Sequence, residues 1–288
     1  MNEYIILTDS SSDLPQWKIE EMGIETAALT VDLDGKTYTN YPDWREVDPQ
    51  FFYQELRNGK PAVTSAANVE TFKTAMVPHL EAGRDILYLG FSSALSGTFN
   101  AGRLAVEELA PQYPDRKIRI VDTLAASLGQ GMLVVLAAEK QRAGADIDEV
   151  TRYCEETRLN ICHWFTVDDL FYLHRGGRVS KATAVIGTTL GIKPVMHVDN
   201  EGHLIKVDVA RGRKASIKRI ADKLRQSNTS ISHVYISHGD CAADAELLKE
   251  MLEKDPGVQE VLINYVGPVI GAHSGPGTLA LFFVGAQR

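Results

Sequence analysis

The segment DILYLGFSSALSGTFNAGRLAVEELA, residues 85–110, decides the fold class. It opens with an apolar run, DILYLGF, which is typical of a buried strand, and it closes with the helical pattern TFNAGRLAVEELA. Between the two lies a cluster of four hydroxyl side chains: Ser92, Ser93, Ser96 and Thr98. A strand that passes through a polar loop into a helix is the repeating unit of α/β proteins with a parallel sheet.

The same unit recurs on both sides of this segment. The strand-like runs YIILT (4–8) and KIRIVDT (117–123) each precede helical patterns. After residue 161 the pattern changes to a hairpin across DNEGH, followed by more widely spaced strands and helices. We therefore predict a two-domain α/β protein. Residues 1–163 form a three-layer α/β/α domain with a mainly parallel sheet, and residues 164–288 form a two-layer α/β domain with a mixed sheet.

The composition excludes several classes of protein. The chain has 288 residues, 44% of them hydrophobic and 24% charged, with a formal net charge of −8. Such an acidic protein lacks the broad basic face that nucleic-acid binding requires. No window approaches the roughly 18 apolar residues of a membrane helix, and the first residues lack the features of a signal peptide. We expect a cytoplasmic protein without a transmembrane segment.

The hydroxyl cluster favours an anion as ligand. In open α/β sheets, ligands bind beyond the carboxyl ends of the strands, where free N–H groups begin a helix. Thr64 and Ser65 precede another predicted helix, and His273 lies in the glycine-rich GAHSGPGTL. The alternative is that the hydroxyls only cap helices and that His273 sits in an exposed turn, although one cap needs a single hydroxyl. The cluster thus indicates a site for an oxyanion.

Histidine spacing and basic runs add two further points. The sequence has no H-x-x-x-H or other metal-ligand spacing, so we predict no metal site. HRGGRVSK (174–181) and RGRKASIKR (211–219) are basic runs on an acidic chain. Such runs are usually solvated helix faces, but they also suit docking of an acidic partner.

Five motifs in order along the chain resemble the DegV family of fatty-acid-binding proteins. They are TDSSSDLP, the TS pair at 64–65, SSALSGTFNA, LHRGGRVS with LGIKPVMHVDNEG, and GPVIGAHSGPGTLALFF. The resemblance runs from Tyr4 to Phe283. It implies a two-domain α/β fold that encloses one long-chain fatty acid, with the carboxylate at the domain interface and the acyl chain in the second domain. It implies no cofactor beyond that lipid.

The resemblance also implies roles for the residues of the motifs. Thr64 and Ser93 would hold the carboxylate with His273 nearby, and Ser92 and Ser96 are second candidates. Ala66-Ala67 follows the TS pair, where the family commonly has Gln-Pro, so further polar contacts from this loop are not implied.

Some members of the family are the binding subunit of a bacterial fatty acid kinase, which serves phospholipid metabolism. They present the carboxylate to a separate ATP-binding subunit and are not enzymes on their own. The basic positions that match the docking surface for that kinase are Arg175, Arg178 and Arg211. Apolar segments 185–196 and 279–284 are candidates for the acyl tunnel, although such runs are more often plain core.

Three other functions remain open from the sequence. GFSSA places Ser92 one residue away from a G-x-S-x-G nucleophile elbow, with Ala94 in place of the last glycine. A serine esterase would then use His273 and either Asp122 or Asp208. The second alternative is a triose-binding domain, because the family's fold resembles the substrate domain of dihydroxyacetone kinases. A module that only binds other proteins is a third.

Overall fold

The computed structural model describes residues 3–186, 191–227 and 231–288, and within these ranges it has a mixed α/β fold. The strands are β1 (Tyr4–Asp9), β2 (Ile24–Ala27), β3 (Thr30–Leu33), β4 (Lys36–Thr39), β5 (Ala62–Ser65), β6 (Asp85–Gly90), β7 (Ile118–Asp122), β8 (Ile161–Thr166), β9 (Ile192–Val198), β10 (Leu204–Arg211), β11 (His233–His238), β12 (Glu260–Tyr265) and β13 (Leu279–Val284). The helices are α1 (Gln16–Met22), α2 (Pro49–Arg57), α3 (Val69–Glu81), α4 (Thr98–Leu109), α5 (Leu128–Arg142), α6 (Ile147–Thr157), α7 (Phe171–Arg175), α8 (Lys181–Ile186), α9 (Arg213–Gln226), α10 (Ala242–Leu252) and α11 (Pro268–Ser274).

The N-terminal half contains a four-stranded parallel sheet in the order β2-β1-β6-β7. Every residue of β1 and β6 is buried, as expected for parallel strands covered on both faces. On one face, Ile6 and Leu87 pack in a core that includes α1, α5 and α6. On the other face, Leu7 and Tyr88 pack in a core that includes α3 and α4. The predicted three-layer arrangement is confirmed.

The C-terminal half contains a six-stranded mixed sheet in the order β10-β9-β8-β13-β11-β12. The pair β11 and β12 is parallel, and the other neighbours are antiparallel. The predicted hairpin joins β9 to β10, and α9 and α10 cover one face of the sheet. The domain boundary at residue 163 stays a prediction. Strand β8 spans that position, and all of its residues pair with β13.

Helix α5 lies between the two sheets. It packs on β1 and β6 of the parallel sheet and on β8, β11 and β13 of the mixed sheet, so its N-terminal half is buried on every side. A Cβ atom at Gly129 would lie 2.1 Å from Nε2 of His163, and one at Gly131 would lie 2.8 Å from the carbonyl oxygen of Ser12. Close packing against both halves therefore requires glycine at these two positions.

A small antiparallel sheet in the order β4-β3-β5 brings Thr64 to the second half of the chain. A turn at Asp34 and Gly35 joins β3 to β4. Strand β5 is not among the strands predicted from the sequence, and in the structure its Thr64 pairs with Val31 of β3. Alternation along β5 leaves Val63 and Ser65 exposed and turns Thr64 inward, towards α11.

None of the helices in the described ranges has the length and hydropathy that a bilayer span requires. Of the predicted tunnel segment 185–196, residues 187–190 lie outside the described residues. The other predicted tunnel segment is β13, the third strand from one edge of the six-stranded sheet.

Candidate functional site

A cavity of about 310 Å³ lies between the loops of the N-terminal half and the six-stranded sheet. Most of its lining is apolar and comes from both halves of the chain. The larger apolar side chains in the lining are Leu29, Phe91, Leu95, Phe165, Leu173, Val198, Leu204, Val266, Val269, Ile270 and Phe282. Cavities of this size with a few polar groups are typical sites for small apolar ligands.

The polar end of the cavity is built around Thr64 and His273. Oγ1 of Thr64 lies 2.7 Å from Nε2 of His273, and both side chains line the cavity. Burial lowers the pKa of His273 to about 4, with a further contribution from the charge of Arg178. The imidazole is therefore neutral near pH 7. A Cβ atom at Gly176 would lie 2.2 Å from Nδ1 of His273, so the backbone of this loop holds the ring in place.

Arg178 is the only charged side chain among the described residues that line the cavity. Its Nε donates a hydrogen bond to the carbonyl oxygen of Leu95 at 3.1 Å, and its guanidinium also donates to the carbonyl oxygen of Gly176. Burial lowers the pKa of Arg178, because the charged form loses hydration. Sequence reasoning placed Arg178 on a partner surface. The structure places it in the cavity lining, near His273, and its role at a partner surface stays a prediction.

The loop after β6 sends only one of its three predicted serines to the cavity. Ser92 is fully buried, and its Oγ donates to the carbonyl oxygen of Gly202 at 3.0 Å. Ser93 is exposed, and its backbone N–H donates to Asp122. Ser96 follows Ser92 by one helical turn and lines the cavity. The structure therefore brings neither the Ser92 nor the Ser93 side chain into the cavity lining, and their predicted contacts with a carboxylate stay a prediction.

The geometry does not assemble the esterase triad that the sequence left open. The hydroxyl of Ser92 donates to a backbone carbonyl, and the ring of His273 pairs with Thr64. Asp208 forms an ion pair with Arg219. A serine nucleophile needs a base within hydrogen-bond reach, and the structure provides none for Ser92 among these candidates. In the part of the chain that the structure describes, no group of three or more potential ligands could hold a metal ion.

A basic groove of about 610 Å³ adjoins the polar end of the cavity. The groove and the cavity share Thr64, Arg178 and His273 in their linings. Lys60 and Arg175 lie in the outer part of the groove, where the exposed guanidinium of Arg175 stacks on the ring of Tyr172 at 4.3 Å. The third predicted docking residue, Arg211, is exposed at the end of β10, and it does not line either space.

Two further hydroxyl side chains in the cavity wall come from elements other than the loop after β6. Ser127, just before α5, and Ser237, on β11, both line the cavity. Neither residue is among the site residues predicted from the sequence. The alternation of side chains along the strand HVYISHG could have pointed to Ser237. Ser237 is two residues from Tyr235 and therefore lies on the same face of the strand.

Comparison with known proteins identifies the family of this chain. The family model described as "Uncharacterised protein, DegV family" matches residues 4–286. The chain belongs to the DegV family. A DegV domain-containing protein of Clostridium perfringens is 44% identical over 100% of this chain and 99% of its own length.

Solved DegV structures share the whole fold. A Thermus thermophilus DegV family protein, described by its fatty acid binding, is 33% identical with a TM-score of 0.88, covering 99% of this chain and 100% of that one. A Thermotoga maritima protein, described as revealing a fatty acid binding function, is 31% identical with a TM-score of 0.85 and the same coverage.

The buried imidazole predicts a specific loss of stability in acid. The unfolded chain takes up a proton at His273 near pH 6.5, whereas the folded protein resists this until about pH 4. Stability therefore falls as the pH drops from 6.5 towards 4. We expect His273→Gln to remove about 2 kcal/mol of the wild-type loss between pH 7.5 and pH 5, measured by urea denaturation.

The matched control is His233→Gln, because that ring is exposed in the folded protein. It should keep the wild-type dependence on pH. An identical loss of stability in wild type and His273→Gln would contradict the burial of a neutral imidazole at the site.

Proposed function

We propose that this protein binds one long-chain fatty acid, with the carboxylate at the polar end of the cavity and the acyl chain along its apolar lining. The observation that carries the proposal is the pairing of an apolar cavity with one inward-facing guanidinium beside a hydroxyl–imidazole pair. The fatty acid binding described for the Thermus and Thermotoga relatives supports the same ligand.

The head of the ligand needs the groups found at this end of the cavity. An ionised carboxylate is costly to remove from water unless hydrogen bonds or an opposite charge replace its hydration. We propose that Thr64, Ser96 and His273 provide hydrogen bonds and that Arg178 provides the charge. A carboxylate beside a guanidinium forms the stronger, charge-assisted type of hydrogen bond.

The tail of the ligand supplies most of the affinity in this proposal. Each buried methylene contributes roughly 0.8 kcal/mol, so a chain of about 16 carbons contributes on the order of 10 kcal/mol before the cost of ordering it. The polar end then fixes the direction in which the chain lies. A triose, the alternative ligand, would leave most of the apolar lining without contacts.

We further propose that the protein presents the carboxylate to an ATP-binding fatty acid kinase in the cytoplasm. The basic groove supports this, because it meets the cavity at the residues assigned to the carboxylate. A phosphoryl group carried by the kinase would approach along Lys60 and Arg175, which attract phosphate oxygens. In this arrangement the protein is the substrate-presenting subunit, and the kinase performs the chemistry. Arg211 extends the proposed docking surface.

Two serines of one loop give a matched test of the carboxylate site. Ser96→Ala removes a hydroxyl from the cavity lining, whereas Ser93→Ala removes an exposed one. We expect Ser96→Ala to weaken hexadecanoic acid binding about tenfold, the usual effect of losing a hydrogen bond to a charged group. Ser93→Ala should bind like wild type. Isothermal titration calorimetry on delipidated protein measures both, and weakened binding in Ser93→Ala alone would contradict the assignment.

The docking surface is tested separately from lipid binding. Arg175 is exposed in the groove and does not line the cavity. We expect Arg175→Ala to lower the rate of acyl-phosphate formation with the host's kinase subunit and ATP at least tenfold, while hexadecanoic acid binding is unchanged. Arg103→Ala, on the exposed face of α4, is the control. Loss of lipid binding in Arg175→Ala, or an unchanged kinase rate, would refute the separation of the two surfaces.

A further inference from the structure

A second polar position lies in the cavity wall, away from the carboxylate site. Oγ of Ser127 is 2.5 Å from Oδ2 of Asp13 and 3.0 Å from Oγ of Ser237. Asp13 and Ser237 are both buried from solvent, and Ser237 also lines the cavity. The three side chains therefore form a hydrogen-bonded row that ends at the cavity, next to Ala280 of the apolar lining.

Helix capping does not account for these hydroxyls. Ser127 is the N-cap residue of α5, but its side chain makes no capping hydrogen bond, and its φ is 54°. In this conformation the hydroxyl is directed to Asp13 and Ser237. Ser237 lies within β11, where strand pairing satisfies the backbone without help from the side chain. Each member of the row is therefore bonded to its neighbour in the row, whereas Oδ1 of Asp13 has no hydrogen-bond partner among the described residues.

The row contains too few hydrogen bonds to use every donor and acceptor of Ser237, so Ser237 can form a further hydrogen bond. A hydroxyl has one hydrogen and two acceptor sites. If Asp13 is ionised, Ser127 donates to it, Ser237 donates to Ser127, and the oxygen of Ser237 is free to accept. If Asp13 is protonated, the row can reverse, and the hydrogen of Ser237 is free to be donated.

Burial raises the pKa of Asp13 to about 8, against the opposing effect of its bond from Ser127. Near neutral pH both directions of the row are therefore populated. A ligand group that can bond to Ser237 in both directions of the row must be able to donate a hydrogen bond and to accept one. A hydroxyl does so, whereas a methylene or a double bond does neither.

Helix α11 sets the scale of the distance between the row and the carboxylate site, taken at the Asp13 end of the row. Oδ1 of Asp13 lies against Gly267, where a Cβ atom would be 2.4 Å away, and His273 is six residues further along α11. Six residues of helix rise about 9 Å. An extended chain advances about 1.2 Å per bond, so this distance corresponds to roughly eight bonds. Val269 and Ile270 line the cavity between the two ends.

We propose that the cavity recognises a fatty acid that carries a hydroxyl group near the middle of its chain, with Ser237 as the partner of that hydroxyl. This rests on the proposed fatty acid binding and names the chemical class of the lipid. The mid-chain hydroxyl forms a hydrogen bond with Ser237, and the apolar lining on either side holds the two halves of the chain.

The test compares positional isomers, which carry the same groups and differ only in where the hydroxyl lies. Delipidated protein is titrated with 10-hydroxyoctadecanoic acid, 17-hydroxyoctadecanoic acid and octadecanoic acid. We expect wild type to bind the 10-hydroxy acid at least tenfold more tightly than the 17-hydroxy isomer, because the latter hydroxyl would be buried without a partner. This comparison requires no variant, so it does not depend on the folding of one.

The variant Ser237→Ala assigns the effect to its residue. We expect it to reduce the preference for the 10-hydroxy isomer to less than threefold. Equal binding of the two isomers by wild type, or a preference that survives in Ser237→Ala, would overturn this inference alone. Failure of all three acids to bind would overturn the proposed function instead.

Discussion

Helix α5 must bury every side of its N-terminal half, and it does so by packing between two sheets. This sets the distance between the sheets, since Gly129 and Gly131 leave no room for even a methyl group against His163 and Ser12. The cavity lies where the helix begins. Ala126 and Ser127, just before α5, form part of its wall, and His163 and Phe165 of β8 form another part. The shape of the site therefore follows from the packing of one helix rather than from any single loop.

Within that cavity, side chains differ in whether the protein already satisfies them. Ser92 holds the β6 loop to the β9–β10 turn, and its hydroxyl is engaged there. His163 is buried and satisfied through its contacts with Ile161 and Ala126, and burial holds its pKa well below the usual value. Arg178 is different, because its positive charge faces the cavity while its bonds to the rest of the described chain go to backbone carbonyls alone. An anionic head group supplies the charge that this guanidinium lacks.

The sequence predicted the layers of the fold well, because parallel strands buried on both faces give continuous apolar runs such as residues 85–90. It did not predict β5, whose four residues acquire strand structure only by pairing with β3. Within the site, spacing along the chain identified the β6 loop but not which serine faces inward. That choice depends on one helical turn between Ser92 and Ser96. The inward direction of Arg178 depends on contacts with Leu95, far away in sequence, which no local pattern encodes.

The most direct test of this account is a crystal structure of the protein with bound hexadecanoic acid. The account predicts a carboxylate oxygen within about 3 Å of Oγ1 of Thr64 and of the guanidinium of Arg178. It also predicts that the acyl chain runs past Val269 and Ile270 towards Ser237. Density that places the carboxylate beside Ser93, or at the Ser127–Ser237 end with the tail directed to the basic groove, would contradict it.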